Sequence, residues 1–210
     1  MSKVKKSFFC QNCGYESVKW IGQCPSCSQW NSFVEEVIEK DNGKQNWNDY
    51  TTNDKRISKA VALSQVKSGE EKRITTTDAE LNRVLGGGIV SGSIILVAGE
   101  PGIGKSTLFL QSGLQLQDQR VLYISGEESE QQIKMRADRL YNNGASINND
   151  NFFLLTETST QTIFQEIKKL KPDVVIVDSV QTLQSNLIDA SQGSISQIKE
   201  CAGEFQRYAK

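Results

Sequence analysis

No surplus of positive charge marks this chain of 210 residues: 24 lysines and arginines stand against 25 aspartates and glutamates, for a formal net charge of −1. Composition therefore supplies no electrostatic footprint for nucleic acid, and any DNA contact has to be argued from motifs. The basic cluster Lys3, Lys5 and Lys6 reads as a solvated tail. No apolar run approaches the ~20 residues that a membrane-spanning helix needs, so no membrane partner is expected. The charged N-terminus is followed by no apolar stretch, so a reducing, cytoplasmic setting is expected rather than secretion. Internal repeats and low-complexity tracts are also missing. With 37% hydrophobic residues the chain is lean for a single globule, as expected if a solvated linker interrupts it.

What is present divides into three regions. Residues 1–35 hold four of the five cysteines and two of the three tryptophans. Residues 36–72 are polar and read as a linker, with a short apolar touch-down expected at Val61, Leu63 and Val66. Over 73–210, apolar runs alternate with amphipathic ones. Strands are expected at 93–98, 120–125, 151–155 and 174–178. Helices are expected at 105–116, 129–142, 160–170 and from 195 to the end. In the second helix Ile133, Ala137, Leu140 and Tyr141 share a face, and Ser129 with Gln132 forms a capping box. Such alternation implies an α/β fold, a parallel sheet covered by helices on both faces.

The run Gly99-Glu100-Pro101-Gly102-Ile103-Gly104-Lys105-Ser106 meets the Gly-x4-Gly-Lys-Ser pattern between an expected strand and an expected helix. Glycines let the backbone take positive φ and turn its N–H groups around phosphates. A helix starting at Lys105 adds its positive end. The expected ligand is ATP with Mg²⁺, Lys105 taking the β- and γ-phosphates and Ser106 the metal, with Thr107 capping or packing beside them. Val174-Val175-Ile176-Val177-Asp178 ends a strand on a carboxylate that can hold the Mg²⁺ or its water. Glu127 and Glu128 follow another strand; either can be the base that polarises water, and Glu127 is favoured by its nearness to the strand end. The competing reading is two first-turn glutamates that stabilise a helix start, and each residue can fill one of the roles.

Cys10-Gln11-Asn12-Cys13 and Cys24-Pro25-Ser26-Cys27 are two Cys-x2-Cys hooks with ten residues between them. Two hooks satisfy a tetrahedral, four-cysteine Zn²⁺ site, and with all four positions filled by protein the ion is structural. A segment this small cannot build a sufficient core, so the metal is expected to supply its folding energy. Trp20 and Trp30 flank the second hook and are expected to pack over it, in preference to stacking on bases. Cys201 stands alone and is expected to be a core thiol.

Together these stretches resemble the bacterial RadA (Sms) DNA-repair family. The likeness runs from Phe8-Phe9-Cys10 through Trp20-Ile21-Gly22-Gln23-Cys24, Leu85-Gly86-Gly87-Gly88-Ile89-Val90 and Ser125-Gly126-Glu127-Glu128-Ser129 to Val177-Asp178-Ser179-Val180-Gln181-Thr182. The resemblance implies a zinc ribbon followed by a RecA-like P-loop ATPase core. It also implies action on single-stranded or branched DNA with a RecA-type recombinase, promoting branch migration, in ring-shaped, hexameric homo-oligomers. The family continues beyond the point that Lys210 occupies, so the core is expected to be incomplete here. Two alternatives stand beside this reading: a binding module without turnover, and another RecA-like ATPase such as a helicase relative.

Overall fold

A computed structural model of the chain describes residues 5–38, 60–66, 72–140 and 149–210. The N-terminal part is a three-stranded antiparallel sheet of β1 (Lys5–Cys10), β2 (Glu16–Ser17) and β3 (Phe33–Ile38), in the order β2-β1-β3. Because β1 begins at Lys5, Lys5 and Lys6 stand in a strand and not in a tail; Lys3 lies outside the described residues. Among the described residues the buried apolar centre of this ribbon is Cys10, Cys24 and Phe33, with Phe8, Ile21 and the other two hook cysteines packed against it. That is too little apolar surface to hold a fold by itself.

Val61, Leu63 and Val66 do not touch down: they are 59%, 88% and 59% exposed. Three apolar side chains interrupted by polar neighbours bury too little area to offset the ordering of the backbone. Next, β4 (Arg73–Ile74) and β5 (Ile89–Val90) pair antiparallel around α1 (Ala79–Val84), whose start is capped by Asp78 accepting from Leu81 N at 2.9 Å.

The larger part contains α2 (Lys105–Gln115), β6 (Val121–Ser125), α3 (Glu130–Leu140), β7 (Phe152–Thr156), α4 (Thr160–Leu170), β8 (Val174–Asp178) and α5 (Ile195–Ala209). Its sheet is parallel, in the order β7-β6-β8, with Ser125 opposite both Thr156 and Asp178. Alternation along β6 explains the layers. Val121 and Tyr123 join Leu110 and Leu114 of α2 with Ile133 and Ala137 of α3. Leu122 and Ile124 join Ile163, Phe164 and Ile167 of α4 with Cys201 of α5. Helices therefore cover both faces, each buried Leu or Ile contributing about 1.5–3 kcal/mol. The Ser129–Gln132 capping box forms as expected, at 2.9 and 3.3 Å. Leu140 packs on the first cluster, while Tyr141 lies outside the described residues.

Residues 93–98 do not form the buried strand their sequence suggests. They have no sheet partner among the described residues, and Ile94, Ile95 and Leu96 are 49%, 40% and 81% exposed. An apolar run becomes a buried strand only when a neighbour takes its N–H and C=O groups. No described strand pairs with residues 93–98, and among the described residues β8 pairs only with β6.

The direction of α2 is set by Gly113. A Cβ there would lie 2.9 Å from Phe152 and Ile176 and 3.4 Å from Val121. Phe152 and Val121 begin their strands and Ile176 is the middle of β8, so the rear of α2 lies over the starts of β6 and β7. The two parts of the molecule touch where Lys199 Nζ of α5 donates to the Gly14 carbonyl at 3.2 Å. No helix among the described residues is long and apolar enough to cross a membrane.

Candidate nucleotide site and metal centre

The phosphate loop closes onto α2 through Gly104, which caps the helix with φ 99°, and Gly102 has φ 79°. A Cβ at either position would meet nothing within 4 Å, so glycine is required for its conformation alone and the loop stays open. Lys105 Nζ donates to the carbonyls of Gly99 at 2.7 Å and Glu100 at 2.8 Å, which keeps the ammonium at the loop's mouth. Charged phosphate oxygens are stronger acceptors than these carbonyls. Glu100, Pro101 and Ile103 are exposed, while Lys105, Ser106 and Thr107 are half-buried in the first turn of α2.

The candidate carboxylates gather at the ends of β6 and β8. Ser125 Oγ accepts from the backbone N–H groups of Glu127 at 3.3 Å and Glu128 at 3.1 Å, which fixes the turn that carries both. Gly126 has no room for a side chain: a Cβ would stand 2.3 Å from Thr182 Oγ1. The turn is thereby pressed against residues 179–182, and Ser179 Oγ donates to Glu127 Oε1 at 2.9 Å. Glu128 instead pairs with Arg136 at 2.7 Å. Asp178, followed by a cis peptide bond to Ser179, accepts at Oδ2 from the Tyr123 hydroxyl at 2.6 Å. Burial, reinforced by Asp178, pushes the Tyr123 hydroxyl well above its ordinary pKa, which keeps the phenol protonated and a donor.

Glu127 and Asp178 are thus neighbours through Ser179. No hydrogen bond or ion pair among the described residues joins residues 99–107 to either; the packing of α2 is what relates them. Asp178 fits a Mg²⁺ ligand in one respect: among the described residues its side-chain hydrogen bond and ion pair both use Oδ2. Reading the sequence missed Tyr123, Ser125, Arg136 and Ser179. A signal for two of them was available. Tyr123 carries the one hydroxyl inside the apolar run Val121-Leu122-Tyr123-Ile124, and Arg136 falls three residues after Ile133 and one before Ala137, on the buried stripe of α3.

The cysteine hooks build a second centre. Each chain reversal repeats the same bonds: Gly14 N donates to Cys10 O at 2.7 Å, and Ser28 N to Cys24 O at 2.8 Å. Gly14 takes φ 70° and Ser28 φ 59° in the equivalent position. The four Sγ atoms lie within 4.8 Å of one another, with Cys10–Cys27 and Cys13–Cys24 both 3.6 Å apart. A tetrahedron with Zn–S of about 2.3 Å has edges of about 3.8 Å, so the set fits zinc. Burial opposes ionisation of Cys10, yet the Ser32 hydroxyl and the amides of Cys13 and Asn12 outweigh it and hold the thiol at about 6. At Cys24 burial wins and the thiol is pushed up to about 11. Trp20 and Trp30 do not pack over the hooks; they are 54% and 64% exposed, both near Gly22. Cys201 is fully buried, and burial pushes its thiol up to about 12, as suits a core residue.

A family model described as the KaiC ATPase matches residues 74–200, more than half of the chain. The chain belongs to the KaiC ATPase family. The matched segment of this KaiC-family ATPase contains the whole phosphate loop, Glu127 and Asp178, and a rubredoxin metal binding domain model matches residues 8–35 around the hooks. Over its full length the chain is similar to proteins named DNA repair protein RadA. Identity is 48% over 212 residues with that of Halalkalibacterium halodurans, 45% over 212 with that of Bacillus subtilis, and 48% over 211 with that of Streptococcus pyogenes serotype M1. In each case the chain spans 45% of the relative's length. The likeness to bacterial RadA proteins read from the sequence therefore runs through the ribbon and the ATPase core alike.

Proposed function

We propose that the chain binds Mg-ATP on residues 99–107 and hydrolyses it, as the motor part of a DNA-repair protein that promotes branch migration of recombination intermediates. One observation carries the ATPase reading: the rear of α2 packs at Gly113 on the starts of β6 and β7, which leaves the phosphate loop, at the helix's amino end, away from those starts, while Glu127 and Asp178 stand at or just past the carboxyl ends of β6 and β8. Loop amides, the α2 dipole and Lys105 hold the β- and γ-phosphates. Ser106 and Asp178 would hold Mg²⁺, which supplies charge neutralisation between those phosphates. Glu127, tethered through Ser179, orients a water on the γ-phosphorus; as its oxygen bonds to phosphorus and the β–γ bridging bond breaks, the proton passes to the carboxylate.

The repair context is supported by the names of the relatives. Single-stranded or branched DNA, a RecA-type recombinase and a homo-oligomeric ring belong to the same proposal, since the composition offers no basic surplus as an independent argument. Lys105→Ala should abolish nucleotide binding or turnover, while Glu127→Gln should keep binding and lose turnover. Normal hydrolysis by both variants would overturn the assignment. Branch migration of junction DNA, measured with a recombinase present, tests the repair role separately.

The exposure of Ile94, Ile95 and Leu96 favours a second reading, a binding module without turnover. Unfolding with and without Mg-ATP separates the two, because a ligand at 100 times its Kd stabilises the folded state by about 2.7 kcal/mol. No shift at millimolar nucleotide would favour the second.

A further inference from the structure

At the carboxyl ends of β6 and β8 stand three carboxylates, Glu127, Glu128 and Asp178, with the cation Arg136 among them. Arg136 Nη2 lies 2.7 Å from Glu128 Oε2, donates to Tyr123 Oη at 3.1 Å, and is 3.9 Å from Asp178 Oδ2. Tyr123 Oη in turn donates to Asp178 Oδ2 at 2.6 Å. We propose that Arg136 and Tyr123 are positioning residues of the nucleotide site: a guanidinium–phenol–carboxylate brace that aims Asp178 at the metal and withdraws Glu128 from the role of base. The brace has this meaning only if residues 99–107 hold Mg-nucleotide, as proposed above.

Three observations lead to it. The first is the arrangement of the guanidinium. Nη2 serves both Glu128 and Tyr123, while Nε is buried with no hydrogen-bond partner among the described residues. A buried donor without an acceptor costs free energy, and an apolar side chain would fill the same space without that cost. What the arginine supplies there is a charge for Glu128. The second is the one-sided hold on Asp178. Among the described residues, its side-chain hydrogen bond and ion pair both use Oδ2, so the brace holds one oxygen and leaves Oδ1 for a metal, as outer-shell donors do for metal ligands. The third is the different treatment of two adjacent glutamates. Glu128 is paired with a cation at 2.7 Å, whereas the partner of the Glu127 carboxylate among the described residues is a neutral hydroxyl at 2.9 Å. The division of roles that the sequence leaves open follows from where Arg136 points.

Tyr123→Phe is the cleanest probe, because the ring stays in its cluster beside Phe152 and only the hydroxyl is lost. Nucleotide binding to the 210-residue chain is measured by calorimetry across a Mg²⁺ series and in chelator, alongside kcat, KM and the melting temperature. The expected result for Tyr123→Phe and Arg136→Gln is a Mg²⁺ requirement raised by about 10-fold, with kcat lowered more than KM is raised. Binding in chelator should move far less. Arg136→Lys should recover part of the loss, and Glu128→Gln added to Arg136→Gln should recover more, since the carboxylate released by the first change is neutralised by the second. A folded Tyr123→Phe with an unchanged Mg²⁺ series overturns the brace, even should Arg136→Gln fail to fold. An unmodified chain that binds no Mg-nucleotide overturns the nucleotide reading, and the brace with it.

Discussion

The ribbon and the ATPase core solve the problem of buried anions in opposite ways. In the ribbon, two of the three buried centre residues are cysteines, and the four sulfurs converge within 4.8 Å, an arrangement that repels itself once ionised unless a cation sits among them. In the core, burial is done by apolar side chains on both faces of β6, Glu128 is paired with a neighbouring cation, and burial pushes the Glu204 carboxyl above its ordinary range. One region has the sulfurs to be held by a metal, the other is held by packing. The difference teaches where each will fail.

Removing the metal is the sharpest way to break the comparison, and its effect should be the largest. Metal binding in such modules amounts to folding free energy on the order of 10 kcal/mol. All three tryptophans, at 20, 30 and 47, precede the core, and every α-helix described lies between Ala79 and Ala209. Chelation, or Cys24→Ser, should therefore alter tryptophan fluorescence while helical circular dichroism and its melting transition persist. Concerted loss of both signals would mean that the two regions fold as one.

Packing errors in the core should act more modestly and report on the site. In Gly126→Ala the new methyl meets Thr182 Oγ1 at 2.3 Å and Thr182 Cβ at 2.7 Å, an overpacking that costs about 1–3 kcal/mol. Because the same turn carries Glu127, turnover should fall further than nucleotide affinity. Thr182→Ala in the same chain should return part of the stability, whereas an unaltered melting temperature for Gly126→Ala would show that the turn is looser than described. By contrast Lys105→Ala should leave the melting temperature in place without nucleotide and remove the upward shift that Mg-ATP produces, since its ammonium contacts only loop carbonyls.

Much of this is legible in the residues. The cysteine spacing suffices for the ribbon's four sulfur ligands, and the continuous apolar run Val121 to Ile124 predicts a strand covered on both faces. Residues 93–98 mislead because apolar content says that a strand wants burial, not that a partner strand is at hand. Trp20 and Trp30 mislead for a related reason: a small ribbon has too little interior to cover two indoles. The brace is out of reach because Tyr123, Arg136 and Asp178 are brought together only by the parallel register of β6 with β8 and the rotation of α3.

The smallest expected effect is also the one that most directly tests how the core handles a buried acid. Glu204 on α5 is 3% exposed and accepts from Thr160 Oγ1 at 2.7 Å. Burial pushes its carboxyl above the ordinary range, and the hydrogen bonds from Thr160 and Ser185 offset this only in part. A carboxyl whose pKa is raised by folding favours the native state at acid pH, below the unfolded value, and loses that contribution as pH rises through the folded value. Glu204→Gln keeps an oxygen acceptor for Thr160 and removes the charge. The variant should melt with the unmodified chain at about pH 4 and a few degrees above it at about pH 7. A variant that melts lower at neutral pH would mean that the charged form is what the pocket stabilises, with Arg207 as its counterion, and the core would then handle its buried acid as the ribbon handles its thiolates.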